Sequence, residues 1–195
     1  CVYGLIKLAQ PLQRNYPSKE IELTFAPPGI GENGGVFCHA NAWAIIAECM
    51  LGETEEANRI YKELIPDEIV KKFGVELYNA EPYVYASNIR GPQALSAGQA
   101  GVSWLSGTAA WMVVACMQYI FGVKPHYNGL EISPCIPNEW KEITVRRKFR
   151  GTNYVIKIDN KAGKGGSVKN ITVKNGKIEN GLIVSDAPTA EVLVT

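Results

Sequence analysis

The sequence predicts an α plus β fold in two parts, a helical segment followed by an antiparallel β-sandwich or jelly roll. Three observations predict it. Apolar residues recur at helical spacing up to about residue 125, β-branched residues, glycine and lysine dominate after it, and period-two alternation appears there. The expected domains are therefore residues 1–125 and 126–195.

Residues 40–50 are apolar all round, as a helix covered on most sides is, and Gly52 stops it. Thr54 can cap a second helix with Glu55 and Glu56 in its first turn, where the helix dipole favours acids. Ala57, Ile60, Tyr61 and Leu64 form its apolar stripe before Pro66, and the two helices read as an αα-hairpin. A third helix is predicted over 108–121, where Ala109, Met112, Val113, Cys116, Met117 and Ile120 recur at helical spacing ahead of Gly122. Helices this poor in charge need cover on several faces, so the helical part is expected to belong to a larger assembly whose other helices precede Cys1. Strands are predicted at 142–149, 152–158, 168–173 and 177–184, with Asn175–Gly176 as a tight hairpin turn.

The 195 residues carry 20 basic and 19 acidic side chains, a balance that argues against a binder of nucleic acid or anionic membrane. An apolar fraction of 46% fills a sizeable core, yet no run approaches the roughly 18 residues of a membrane helix, so a soluble protein is expected. Cys1, Cys38, Cys49, Cys116 and Cys135 are odd in number and lack CxxC spacing, which predicts no disulfide framework and a reducing, cytoplasmic setting. The N-terminus has neither an initiator Met nor the charge and apolar pattern of a signal peptide, and reads as the middle of a longer polypeptide.

Three segments carry candidate chemistry. In residues 29–41 the glycines let backbone approach a ligand, and His39 falls at a helix start, where free amides and the dipole favour an anion. His39 either donates to that anion or bonds inside a packed helix start. In residues 104–111, Ser106 and Thr108 flank Gly107 just before the other apolar helix, as N-caps, ligand contacts or both. Trp111 reads as a packing residue, whereas Trp104 is open to a second role. In residues 78–85, Glu81 sits among three phenols, Tyr83 included, a composition that grips sugar hydroxyls or else buries a Glu on backbone amides. Metal-ligand spacing, a P-loop, a dinucleotide fingerprint and a Ser-His-Asp motif are all missing from the sequence, so no cofactor is expected, and His126 is expected to face solvent.

Four ordered stretches resemble the C-terminal part of the cellobiose and chitobiose phosphorylase family, the inverting glycoside phosphorylases of glycoside hydrolase family 94. They are residues 33–41 with Trp43, residues 80–84, residues 104–109 with Trp111, and residues 129–137 with Trp140. The resemblance implies the last helices of an (α/α)6 barrel over 1–125 and a C-terminal β-sandwich over 126–195. It implies a glycosyltransferase-type phosphorolysis, in which inorganic phosphate cleaves a β-linked disaccharide or oligosaccharide to an α-sugar 1-phosphate. Phosphate is then the nucleophile and cosubstrate, so one catalytic carboxyl group suffices.

By the same resemblance, His39, Ser106 and Gly107 match phosphate contacts, with Thr108 close enough to share that role. Glu22 matches a contact to the acceptor sugar, while Glu81 and Tyr83 line the same cavity. Gly31 departs from the lysine of cellobiose-specific members, which puts cellobiose itself in question. The general-acid Asp is expected before Cys1, because Asp67, Asp159 and Asp186 read as a helix start, a strand end and a turn. The isolated chain is accordingly expected to be inactive, its partners being sugar, phosphate, the rest of its polypeptide and a second copy in a homodimer. The competing readings are an inverting hydrolase of the same barrel type, with Glu81 as its second carboxylate, and a noncatalytic carbohydrate-binding module.

Overall fold

The computed structural model describes residues 5–7, 26–163 and 166–195. Glu22 lies outside the described residues. The chain divides into two compact units, Cys1–Ile45 with Arg59–Met112 and Ile46–Asn58 with Val113–Thr195.

In the first unit, β1 (Val36–Phe37), β2 (Asn88–Ile89) and β3 (Ala100–Gly101) form a small antiparallel sheet in the order β1-β2-β3. Helix α1 (Cys38–Leu51) starts directly after β1, two residues before the predicted start, and Gly52 follows it at φ +82°. Helix α2 (Thr54–Leu64) begins at the predicted Thr54, with Arg59 and Glu63 paired one turn apart. Pro66 ends α2 and also opens α3 (Pro66–Phe73), because a first helical position has no use for the N–H that proline lacks. Asp67 and Glu68 at its start and Lys71 and Lys72 at its end suit the dipole. A single turn, α4 (Val75–Tyr78), leads into the long loop toward β2. Val36, Ile45, Ile60, Leu64, Ile69, Tyr78 and Ile89 are buried and form this unit's core.

Helix α5 (Thr108–Val114) crosses into the second unit and continues as a π-helical stretch over Ala115–Ile120, where the Phe121 N–H reaches back five residues to the Cys116 carbonyl at 2.8 Å. One helix was expected here, and the chain does stay helical to Ile120, but with a widened second half. Beyond it lie two four-stranded sheets. One has the order β4 (Val123–His126), β5 (Gly129–Ile132), β10 (Leu182–Val184), β9 (Lys177–Glu179); the other has β6 (Glu142–Phe149), β7 (Thr152–Asp159), β11 (Thr189–Val194), β8 (Ile171–Lys174). Tyr154, Ile156 and Ile158 of β7 point inward at period two, as the sequence alternation predicts, and so do Ala190, Val192 and Val194 of β11, a strand outside the predicted set. Pro125 is accommodated because β4 is an edge strand.

Two strand expectations are corrected. Asn175–Gly176 does not close a hairpin, and residues 177–184 do not form one strand. The hairpin lies at Asn180–Gly181, whose φ values of +49° and +78° give the two left-handed residues that a tight type I′ turn needs. Gly176 instead sits where the chain leaves β8 in one sheet for β9 in the other, and a Cβ there would lie 2.8 Å from the Val184 carbonyl oxygen. The second correction concerns direction, since β11 pairs with β7 in parallel and only with β8 antiparallel. The return segment explains it. The Thr152 hydroxyl donates toward the carbonyls of Ser185 and Ala187, and the Asn153 N–H to that of Pro188, which sets the start of β11 beside the start of β7.

Candidate functional site

The first unit brings two helix starts to one short piece of chain, Ala86–Ser87. The Ser87 carbonyl accepts the Cys38 N–H at 2.9 Å, extending the β1–β2 pairing into the first residue of α1. The Ala86 carbonyl lies 3.2 Å from both the Ser106 and the Thr108 hydroxyl oxygens at the start of α5. Consecutive carbonyls therefore hold both helix N-termini.

Each start keeps unused donors. Helix geometry leaves the first four N–H groups without an intrahelical acceptor. At α1 the Cys38 N–H goes to Ser87, and the next amides are those of His39 and Ala40. At α5 the Thr108 N–H donates to the Ser106 Oγ at 3.0 Å, and the Gly107 carbonyl receives the Trp111 N–H. The amides of Ala109 and Ala110 follow. Ser106 thus serves as the cap, while the Thr108 hydroxyl, 2.6 Å from that of Ser106, ties the helix start to Ala86; Thr108 is fully buried and Gly107 exposed.

Aromatic rings join the same two starts. His39, half-buried, lies edge-on to Phe37 at 4.4 Å and to Trp43 at 5.0 Å, and Trp43 meets Trp111 edge-on at 5.5 Å. A Cβ on Gly107 would touch the Trp111 ring at 3.9 Å. Trp43 stays 46% exposed and Trp111 39%, so the packing role expected for Trp111 is met on one side and a face of the cluster remains open.

Glu81 and Trp104, read separately from the sequence, form a pair: the indole N–H donates to the Glu81 Oε1 at 2.8 Å. That bond, helped by Glu81's own backbone and by Ser103, holds the carboxyl below its usual range. Val102 and Trp104 both adopt left-handed backbone, at φ +50° and +68°, a strained conformation for a β-branched and a bulky residue. Tyr83 is 74% exposed. Burial pushes the Cys38 thiol up to about 12, which makes this neighbour of His39 a packing residue at neutral pH.

The glycine loop before α1 has a use the sequence did not disclose. The Gly91 N–H donates to the Gly29 carbonyl at 2.7 Å, and a Cβ on Gly91 would lie 2.1 Å from the Gly34 carbonyl oxygen. A Cβ on Gly35 would lie 2.5 Å from the Gly31 carbonyl oxygen, and buried Asn33 donates to the Ala26 carbonyl. These glycines let backbone approach backbone. Gly31 differs, at φ +51° with open space where its Cβ would point. Buried Asn41 uses its whole amide to bind Ile6 and the Phe37 carbonyl. No side-chain signal in the sequence marks Ala86 or Ser87, which contribute carbonyls alone. Among the described residues, no group of three or more His, Cys, Asp or Glu is arranged to hold a metal ion, and no helix is long and apolar enough to cross a membrane. His126, in β4, is exposed and lies 2.9 Å from Glu131.

The family model described as glycosyl hydrolase 94 superfamily, catalytic domain, matches residues 1–122. The solabiose phosphorylase of Paenibacillus borealis is 34% identical over 176 residues, which is 90% of this chain and 22% of that protein. The N,N'-diacetylchitobiose phosphorylase of Vibrio proteolyticus is 37% identical over 154 residues, 77% of this chain and 19% of that protein. The cyclic beta-(1,2)-glucan synthase NdvB of Rhizobium meliloti (strain 1021) is 36% identical over 153 residues, 76% of this chain and 5% of that protein. The chain thus spans about a fifth of the length of the two phosphorylases it matches.

Proposed function

Because the chain belongs to the glycosyl hydrolase 94 superfamily, we propose that it is the C-terminal part of an inverting glycoside phosphorylase. The whole enzyme cleaves a β-linked disaccharide or oligosaccharide with inorganic phosphate and releases an α-sugar 1-phosphate. Residues 1–125 contribute the last helices of an (α/α)6 barrel and 126–195 its β-sandwich. The general-acid Asp lies in the preceding polypeptide. Phosphate is the cosubstrate, no cofactor takes part, and the enzyme works as a cytoplasmic homodimer.

The observation that carries this reading is the junction at Ala86–Ser87, which holds the starts of α1 and α5 by neighbouring carbonyls. Phosphate needs several donors converging from one side while its opposite oxygen attacks the anomeric carbon. Two helix N-termini, with His39 on one and Ser106 and Gly107 on the other, present amides and side chains fixed before the ligand arrives, and Thr108 shares that role by holding the second start to Ala86. Because the attacking oxygen is already an anion, no base has to activate it, and the protein's task is position and charge.

Glu81, Tyr83 and Glu22 serve the sugar. The indole bond fixes one Glu81 oxygen and keeps the carboxylate ionised, ready to accept from a sugar hydroxyl with the other oxygen.

The test is turnover by the complete polypeptide that carries this chain, on a panel of β-linked glucose and N-acetylglucosamine disaccharides with and without phosphate. Sugar 1-phosphate formed only with phosphate is the expected result, and none is expected from the 195-residue chain alone. Sugar released without phosphate would establish a hydrolase instead. Sugar binding indifferent to phosphate, with no product, would establish a binding module.

A further inference from the structure

The second unit holds a pair of thiols that the phosphorolysis reading leaves unused. Cys49, in the last turns of α1, and Cys135, in the extended segment after β5, hydrogen-bond to one another. Cys49 is half-buried and Cys135 buried. The Cys135 backbone is fixed by its N–H to the Ile120 carbonyl at 2.9 Å. Both cysteines line a cavity of about 540 Å³, together with Met50, Tyr119, Lys124 and Ser133.

The surroundings divide the two thiols into a donor and an acceptor. The bond from Cys49 lowers the pKa of Cys135, against its own burial and the charge of Glu53, with the Lys124 ammonium acting in the same direction as that bond. Cys49 is pushed the opposite way, first by its bond to Cys135, then by burial, and further by Glu48. Lys124 is itself oriented by Glu131 and Ser133 at 3.1 and 3.0 Å. Cys38 has no such arrangement: it is buried, with its thiol raised by desolvation alone.

We propose that Cys49 and Cys135 are a redox modification site, which a low-molecular-weight disulfide oxidises to an intramolecular disulfide. The Cys135 thiolate attacks one sulfur of the small disulfide, whose S–S bond breaks, and the departing thiolate takes up the proton that Cys135 released. Cys49 then loses its proton and attacks the Cys135 sulfur of the mixed disulfide, expelling a second thiolate that takes that proton. The protein loses two electrons, the small disulfide gains them, and two small thiols result. The new bond ties the end of α1 to the segment that follows β5.

The test treats the complete folded polypeptide with oxidised glutathione, traps remaining thiols with N-ethylmaleimide, and maps proteolytic peptides by mass spectrometry. The expected result is a Cys49–Cys135 cross-link as the predominant product, reversed by dithiothreitol, with Cys38 and Cys116 recovered as alkylated thiols. With Cys49→Ser, Cys135 stops at the mixed disulfide with glutathione. Recovery of Cys49 and Cys135 as alkylated thiols would overturn the proposal. So would a cross-link between them no more abundant than in the same polypeptide oxidised in urea. Neither result depends on whether the enzyme is a phosphorylase.

Discussion

The Glu81 carboxyl is held below its usual range by single contacts, the largest being the Trp104 indole N–H. A carboxyl whose pKa is lower folded than unfolded adds stability above its unfolded pKa, about 4.3, and loses that contribution as pH falls through the depressed value. Trp104→Phe keeps a ring and removes the donor, so the Glu81 titration, followed by carboxyl NMR, should move up toward the ordinary value. Thr108 makes the contrasting case, since its fully buried hydroxyl serves the Ala86 carbonyl and the Ser106 hydroxyl. Thr108→Val keeps the volume and removes the hydroxyl. Urea unfolding should show a loss of about 1–3 kcal/mol, the cost of an unmade buried hydrogen bond.

At the scale of elements, the glycine loop and the Asn180–Gly181 hairpin both depend on backbone that only glycine provides cheaply. Gly91→Ala would drive a Cβ into the Gly34 carbonyl and should cost about 1–3 kcal/mol or more in thermal or urea unfolding. Gly31→Ala meets nothing and should cost only the left-handed backbone penalty, about 1–2 kcal/mol. The apolar character of α1, the periodicity of α2 and α5 and the alternation of β7 and β8 were legible in the sequence, because burial on a fixed face writes a period into the residues. The partners of strands were not. Asn-Gly and Asn-Gly recur at 175 and 180, and only the corner between sheets, which crowds Gly176, decides which pair closes a hairpin. The site divides in the same way. His39 and the Ser106 and Thr108 hydroxyls show in the residues, whereas their meeting on Ala86 and Ser87 is made by carbonyls that every sequence has.

At the scale of the molecule, the helical part matches a catalytic-domain family in relatives about four times as long. Its Trp43 and Trp111 are exposed beside the two helix starts. The glycine loop no longer argues for a ligand, since its glycines meet backbone, and the weight rests on the joined helix starts. The most direct test of that weight is the phosphate dependence of the complete polypeptide with His39→Ala. A charge-assisted contact worth about 1.5–3 kcal/mol predicts a roughly tenfold to hundredfold loss in kcat/KM for phosphate, with sugar binding unchanged. Phosphate kinetics that match the unsubstituted enzyme would remove His39, and with it the paired helix starts, from the reaction.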